Sequence, residues 1–441
     1  MQPSYKQIRT IVYPLLLSLL MEHLIGMTDT AFLGRVGEIE VGASALGSVY
    51  FMAIYMLGFG FSIGAQILIG RRNGEKRFDK IGDIFSQGTL FLLALAAIIF
   101  VLSKEFSPQI LRLLIQSDQI YEATLSYMNW RIYGFFFAFA STMFRAFFVG
   151  TTNTKILTSN SIVLVLSNVL FNYALIFGKL GCPALGIEGA AIGSSAAELV
   201  SLLFFIVYTW IKVDREKYNM FRITRFKPKL LLRILNVSVW TMIQAFISVS
   251  TWFLFFVAVE HLGERQLAIS NIVRSMSSLL FLTTAAFAST TSSLVSNLMG
   301  AGEQEQVLPL CRKMIKMCYC FILPLIILIF LFPTLILHIY TDNLSLISAS
   351  VPALLVMTSV YIISVPANIL FNAVSGTGNT RSALVMEIAT LTVYALYIIY
   401  VIFYLKVDVA IAWTAEHVYV LILVAFSFAY LKKADWQSKR I

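Results

Sequence analysis

The sequence predicts an all-α integral membrane protein, with twelve transmembrane helices in two pseudo-symmetric six-helix lobes. Three observations predict it. Of the 441 residues, 59% are hydrophobic and 13% charged, with a mean hydropathy of +0.82; a soluble globular chain carries roughly 25% charged residues. Twelve apolar runs reach the length of about 20 residues that a helix needs to cross a bilayer. The chain also repeats itself. Gly37-Glu38 returns as Gly263-Glu264, 226 positions on, and Gly150-Thr151-x-Asn153-Thr154-Lys155 returns at the same offset as Gly376-Thr377-x-Asn379-Thr380-Arg381. Gly74-Glu75 and Gly302-Glu303 form a third pair at an offset of 228. A large repeat in a membrane protein places a solute site at the interface of the two copies.

The predicted spans are 11–33, 42–69, 84–103, 125–149, 157–178, 187–211, 237–260, 267–299, 316–340, 349–374, 383–405 and 409–431. Lipid offers no partner to a free backbone amide, so they should be helices. The first span holds Pro14, a predicted bending point because it donates no backbone hydrogen bond. It also holds Glu22 and Asp29, seven residues apart and so about 20° apart on one helix face. A carboxylate at Asp29 costs a few kcal/mol unless paired, hydrated or neutralised. Its alternative is to snorkel from the helix end. The repeat puts Phe255 at the place of Asp29 and Ser248 at the place of Glu22, so the helix is built without either acid. Glu22 could pass a proton, hold a cation or bond a neighbouring hydroxyl.

The second span carries Gly58, Gly60 and Gly64, read as close helix packing rather than a nucleotide loop because no strand precedes them. The third span is plainly apolar. Arg131 and Arg145 lie in the fourth and Arg274 in the eighth, each read as near a span end. Asn168 and Asn172 share one face of the fifth span, as Ser194 and Glu198 share one face of the sixth. The amides suit either a hard cation, a protonated carboxyl or cross-linking between helices. Glu198 is a further intramembrane acid. Glu260 reads as a membrane-edge residue. Glu387, about one turn past the Arg381 loop, reads as interfacial or functional, and Glu416 beside His417 as a hydrated acid near Asp408 or a functional one. Of the four cysteines, Cys182 and Cys311 fall in loops and Cys318 and Cys320 in the ninth span; none has metal-site spacing, and all read as small apolar fillers.

Charge sets the orientation. One side of the membrane holds only Arg35, Lys104, Arg112, Lys179, Arg265 and Lys406; three more Arg lie in spans, and all the rest of the 33 Lys and Arg fall on the other side. By the positive-inside rule that basic side is cytoplasmic, with both termini. The net charge of +10 is thus a topology signal and not a nucleic-acid surface. Six spans per copy relate the halves by an axis along the membrane normal. The expected organisation is an amino-terminal lobe 1–212, a basic linker 213–235 and a carboxy-terminal lobe 236–441. No cleavable leader is expected, because the first run lacks an A-x-A pattern.

These residues resemble a known family. Thr28-Asp29-Thr30-Ala31-Phe32-Leu33-Gly34-Arg35, Gly70-Arg71-Arg72-Asn73-Gly74-Glu75, the Gly150 turn, Asn168-x-x-x-Asn172 and Gly186-x-x-Gly189-Ala190-Ala191 look like multidrug and toxic compound extrusion (MATE) transporters across essentially the whole chain. The resemblance implies a V-shaped antiporter that exports organic, often cationic, compounds against inward Na⁺ or H⁺. It implies that Asp29, Asn168, Asn172 and Ser194 couple the ion, with Na⁺ a candidate at Asp29, and that Pro14 bends. Departures are Asn172, where some members have aspartate, and Ser248 and Ser364, where another branch has acids; coupling is therefore expected in the amino lobe.

The expected partners are small organic molecules and membrane lipid, with no nucleic acid. The protein should be monomeric, in a bacterial inner membrane, with no cofactor beyond the coupling ion and no enzymatic activity. A lipid-linked precursor flippase is the alternative, and it would line its cavity with several Arg or Lys. No metalloprotease, paired-aspartate or Ser–His pattern supports an enzyme.

Overall fold

The computed structural model describes residues 3–221 and 226–438, and among these every regular element is helical. The helices are α1 (Tyr5–Leu33), α2 (Glu38–Gly74), α3 (Asp79–Leu114), α4 (Asp118–Arg131), α5 (Gly134–Gly150), α6 (Lys155–Phe177), α7 (Gly186–Lys212), α8 (Arg215–Tyr218), α9 (Pro228–Glu260), α10 (Glu264–Ala301), α11 (Val307–Leu331), α12 (Pro333–Leu337), α13 (Leu344–Gly376), α14 (Thr380–Ile398), α15 (Val409–Ala412) and α16 (Ala415–Lys433). Eleven stretches are long and apolar enough to span a membrane alone, and α4 with α5 makes a twelfth as one bent span.

Several elements differ from the sequence reading, for physical reasons. The fourth span is not one helix: α4 and α5 meet at a 51° bend just after Arg131. The ninth ends at Leu331, and Pro333, which cannot continue a helix, opens α12. Because α11 starts at Val307, Cys311 lies in a helix and not a loop. α9 starts inside the predicted linker, with Pro228 at its first position. Of the rest of that linker, α8 is capped by the Asp214 carboxylate, which accepts from Lys217 N–H at 3.0 Å, and residues 222–225 lie outside the described residues.

The chain forms two compact units, Tyr13–Met242 and Met1–Val12 with Ile243–Ile441, so α1 and α9 each contribute to both. In Tyr13–Met242, α2 packs on α4 and α5, and α6 packs on α7. Glycines bring backbones together here. A Cβ on Gly60 would lie 2.6 Å from Met242 Cα, and one on Gly64 would lie 2.5 Å from Ser238 Cα. Thr241 Oγ1 donates to the bared Gly60 carbonyl at 2.7 Å. In the other unit α13 is central, packed on α10, α11 and α16. Pro352 and Pro366 lie within it, and α14 runs into a π-helical turn at Ile399–Tyr404.

Candidate functional site

Asp29 occupies the last third of α1, half-buried, with one face turned to α6 and α7. From α6, Asn172 Nδ2 donates to Asp29 Oδ1 at 2.6 Å, and from α7, Ser194 Oγ lies 3.5 Å from Oδ2. Asn168, one helical turn before Asn172, ties them together. Its Oδ1 accepts from Asn172 Nδ2 at 3.3 Å and its Nδ2 donates to Ser194 Oγ at 3.2 Å. The i, i+4 spacing aligns both amides, and both are almost wholly buried. Asn172 Oδ1 faces away from the carboxylate toward Gly193, where any Cβ would overlap it, and finds no donor among the described residues. The four residues expected to act together are thus in contact.

They open onto a cavity of about 370 Å³ inside this unit. Two ion pairs share its wall. Arg131 makes a two-bond fork to Glu198, Nη2 to Oε1 at 2.6 Å and Nη1 to Oε2 at 2.9 Å. It also lies 3.5 Å over the Phe51 ring. Gly134 makes room for it, since a Cβ there would overlap both partners. Arg145 approaches Glu22 Oε1 more loosely, at 3.5 Å, and that oxygen also accepts from Ser18 and Ser161 hydroxyls at 3.1 and 3.2 Å. Phe51, Tyr55 and Phe59 stack along α2, with centroids 6.4 and 6.0 Å apart, between the two Arg. Of the three carboxylates and two guanidiniums lining the cavity, Asp29 alone has no basic nitrogen of the described residues within 4.0 Å.

Arg131 and Arg145, read as span-end residues, are therefore cavity residues; the break after α4 and the middle of α5 carry them inward. Sequence reasoning passed over Ser18 and Ser161, plain serines whose only signal is their place opposite Glu22. α1 runs as a helix through Pro14, whose carbonyl accepts from Thr158 Oγ1 at 2.8 Å.

In the other unit, the sequence leaves Glu387 interfacial or functional, and the structure buries it. The carboxyl is 2% exposed and so is not interfacial, because this face of α14 is covered by α9 and α16. Ser248 Oγ lies 2.6 Å and Tyr419 OH 2.9 Å from its Oε1. Glu416 accepts from Tyr394 OH at 2.8 Å, and His417 Nε2 meets Ser359 Oγ at 2.9 Å. Among the described residues no group of three or more His, Cys, Asp or Glu could hold a metal ion, and all four cysteines are free.

Comparison with known proteins bears on the family and the fold. The MatE family model matches twice, over residues 14–174 and 241–401, once in each copy of the repeat. A probable multidrug resistance protein NorM from Synechocystis is 26% identical over 349 residues, 78% of this chain and 74% of the relative. A probable multidrug resistance protein YoeA from Bacillus subtilis is 24% identical over 77% of this chain and 74% of its own length. Among solved structures, an outward-facing multidrug resistance MATE family transporter of the MOP superfamily superposes with a TM-score of 0.90 at 16% identity, covering 100% of this chain and 98% of its own. A MOP superfamily transporter from Pyrococcus furiosus, described as having a binding pocket of reversed polarity that suggests a different function, gives 0.89 at 17% identity over 98% of each chain.

Proposed function

This chain belongs to the MatE family, and from that premise we propose that it is an antiporter that exports organic, often cationic, compounds by alternating access, driven by inward H⁺ or Na⁺ bound at Asp29. One observation carries the coupling role: among the described residues Asp29 is the cavity acid with no basic nitrogen within 4.0 Å, held by amide and hydroxyl groups on α6 and α7. Binding a cation or proton there removes an uncompensated charge and changes the relative stability of the two access states, while a cationic substrate competes for the same field. The membrane potential adds about 2.3 kcal/mol per inward charge per 100 mV. The donor set favours H⁺ over Na⁺. Asn172 presents its N–H to the carboxylate and turns its carbonyl to Gly193, so that oxygen is not offered to a metal ion. The aromatic run on α2 supplies stacking surface for planar cations.

The flippase alternative drew on basic residues for phosphate headgroups. Arg131 and Arg145 do line the cavity, yet each faces a carboxylate, leaving the lining one negative charge in excess.

The test is uptake of a fluorescent cation into proteoliposomes, with pH and Na⁺ gradients imposed separately. Uptake should follow the pH gradient, and Asp29→Asn should cut gradient-driven uptake by at least about tenfold, or ~1.4 kcal/mol of driving interaction, with insertion unchanged. Full gradient-driven uptake by Asp29→Asn ends the coupling role.

A further inference from the structure

We propose that Glu387 is a second proton-exchanging site, built into the Ile243–Ile441 unit and independent of the coupling role proposed for Asp29. Three geometric facts converge on it. First, Glu387 is 2% exposed and its Oε2 has no hydrogen-bond partner among the described residues. Second, among the described residues no Lys, Arg or His nitrogen lies within 4.0 Å of it, unlike Glu198 and Glu22. An ionised carboxylate so placed carries a buried, uncompensated charge.

Third, the hydroxyl hydrogens do not suffice for an ionised group. Ser248 Oγ lies 2.8 Å from the Gln244 carbonyl and 2.6 Å from Glu387 Oε1, and its single hydrogen cannot serve both. A proton on Glu387 Oε1 resolves this. The carboxyl then donates to Ser248 Oγ, Ser248 donates to Gln244, and Oε1 still accepts from Tyr419 OH at 2.9 Å. Oε2 is left as a bare carbonyl oxygen, far cheaper to bury than a bare charge.

The repeat points to the same two positions. Ser248 and Glu387 lie 226 residues beyond Glu22 and Ser161, which are themselves hydrogen-bonded at 3.2 Å. Both copies join these two helices by an acid–serine bond, with the acid on the first helix in one and on the second in the other.

The surroundings are mild. α16 presents Tyr419, and the Tyr394 ring meets it edge-on at 5.9 Å while its hydroxyl donates to Glu416. α9 presents Ser248 and Gln244, and α13 brings Ser359, bonded to His417. Glu387 therefore joins α9, α14 and α16 while it carries its proton. Losing that proton to water puts a bare charge between the three and favours their separation; regaining it from water restores the join.

The experiment is infrared difference spectroscopy of the full chain in liposomes, between acidic and alkaline buffer. The expected result is a protonated-carboxyl C=O band, characteristic of weak hydrogen bonding, that vanishes on alkalinisation. It should be missing from Glu387→Gln, shifted in Ser248→Ala and in Tyr419→Phe, and kept in Asp29→Asn. The last arm separates this site from the Asp29 reading. If Glu387→Gln keeps every pH-sensitive carboxyl band, or if the Glu387 band never titrates, the proposal is overturned. Ser248→Ala and Tyr419→Phe decide the matter should Glu387→Gln fail to fold: unshifted bands in both also overturn it.

Discussion

α1 and α9 stand at equivalent places in the repeat, yet one carries Glu22 and Asp29 and the other Ser248 and Phe255. Around Asp29 the unit is open and polar: a cavity, two ion pairs and an amide–hydroxyl network. Around Phe255 it is closed. That ring is fully buried, 4.8 Å from Trp413, whose Nε1 donates to Ser270 Oγ at 3.1 Å. The glycines differ in the same way. Gly60 and Gly64 of α2 admit another backbone, whereas Ala286 and Thr290, 226 residues on in α10, are buried with side chains present. One helical frame is thus filled either with charge and space or with rings. Nothing in the frame itself demands the acids.

Four changes would break or sharpen that contrast. Phe255→Asp imposes the first unit's acid on the closed one, removing a buried ring and burying an unpaired charge. We expect the largest loss, about 3–5 kcal/mol for the ring alone, read as a lower unfolding temperature in detergent; an unchanged temperature would mean the two units are equally tolerant. Arg131→Met should cost about 3 kcal/mol by stranding Glu198, and adding Glu198→Leu should recover most of it. A double variant as unstable as the single would show that the pair does more than balance charge. Gly64→Val forces α2 off Ser238 and should cost about 1–3 kcal/mol, while Thr290→Gly should cost only about 1 kcal/mol; equal costs would erase the packing difference. The smallest effect belongs to Glu22→Ser with Ser161→Glu, which copies the second unit's arrangement into the first. The Arg145 pair is loose, at 3.5 Å, with Glu22 partly exposed, and contributes less than about 1 kcal/mol, so gradient-driven uptake should change only a few-fold. Complete loss of uptake would show that the acid must sit on α1.

The fold was largely legible because a lipid-facing helix writes its length directly into hydropathy. Helical spacing aligns Asn168 with Asn172 and Ser194 with Glu198, but that Asp29, Asn168, Asn172 and Ser194 form one cluster is implied by the family resemblance and not by the spacing. The break after Arg131 was not legible: hydropathy continues smoothly across 132–133, and the Arg–Glu pair that Gly134 makes room for beside the bend joins residues 67 positions apart. The surroundings of Glu387 stay open in the sequence for a related reason. Distance from a loop gives depth along a helix, but whether that face meets water or two other helices is decided by α9 and α16, far away in sequence.

Gly193 lines no part of the cavity, yet it is where the Asn172 carbonyl oxygen comes to rest. Any side chain there must rotate or displace the amide that grips Asp29. If Asp29 couples the ion as proposed, its ion preference has an adjustment screw behind the wall, reachable by a one-residue change that leaves the cavity lining untouched. Selection for a new driving ion and selection for a new cargo can then act on different residues.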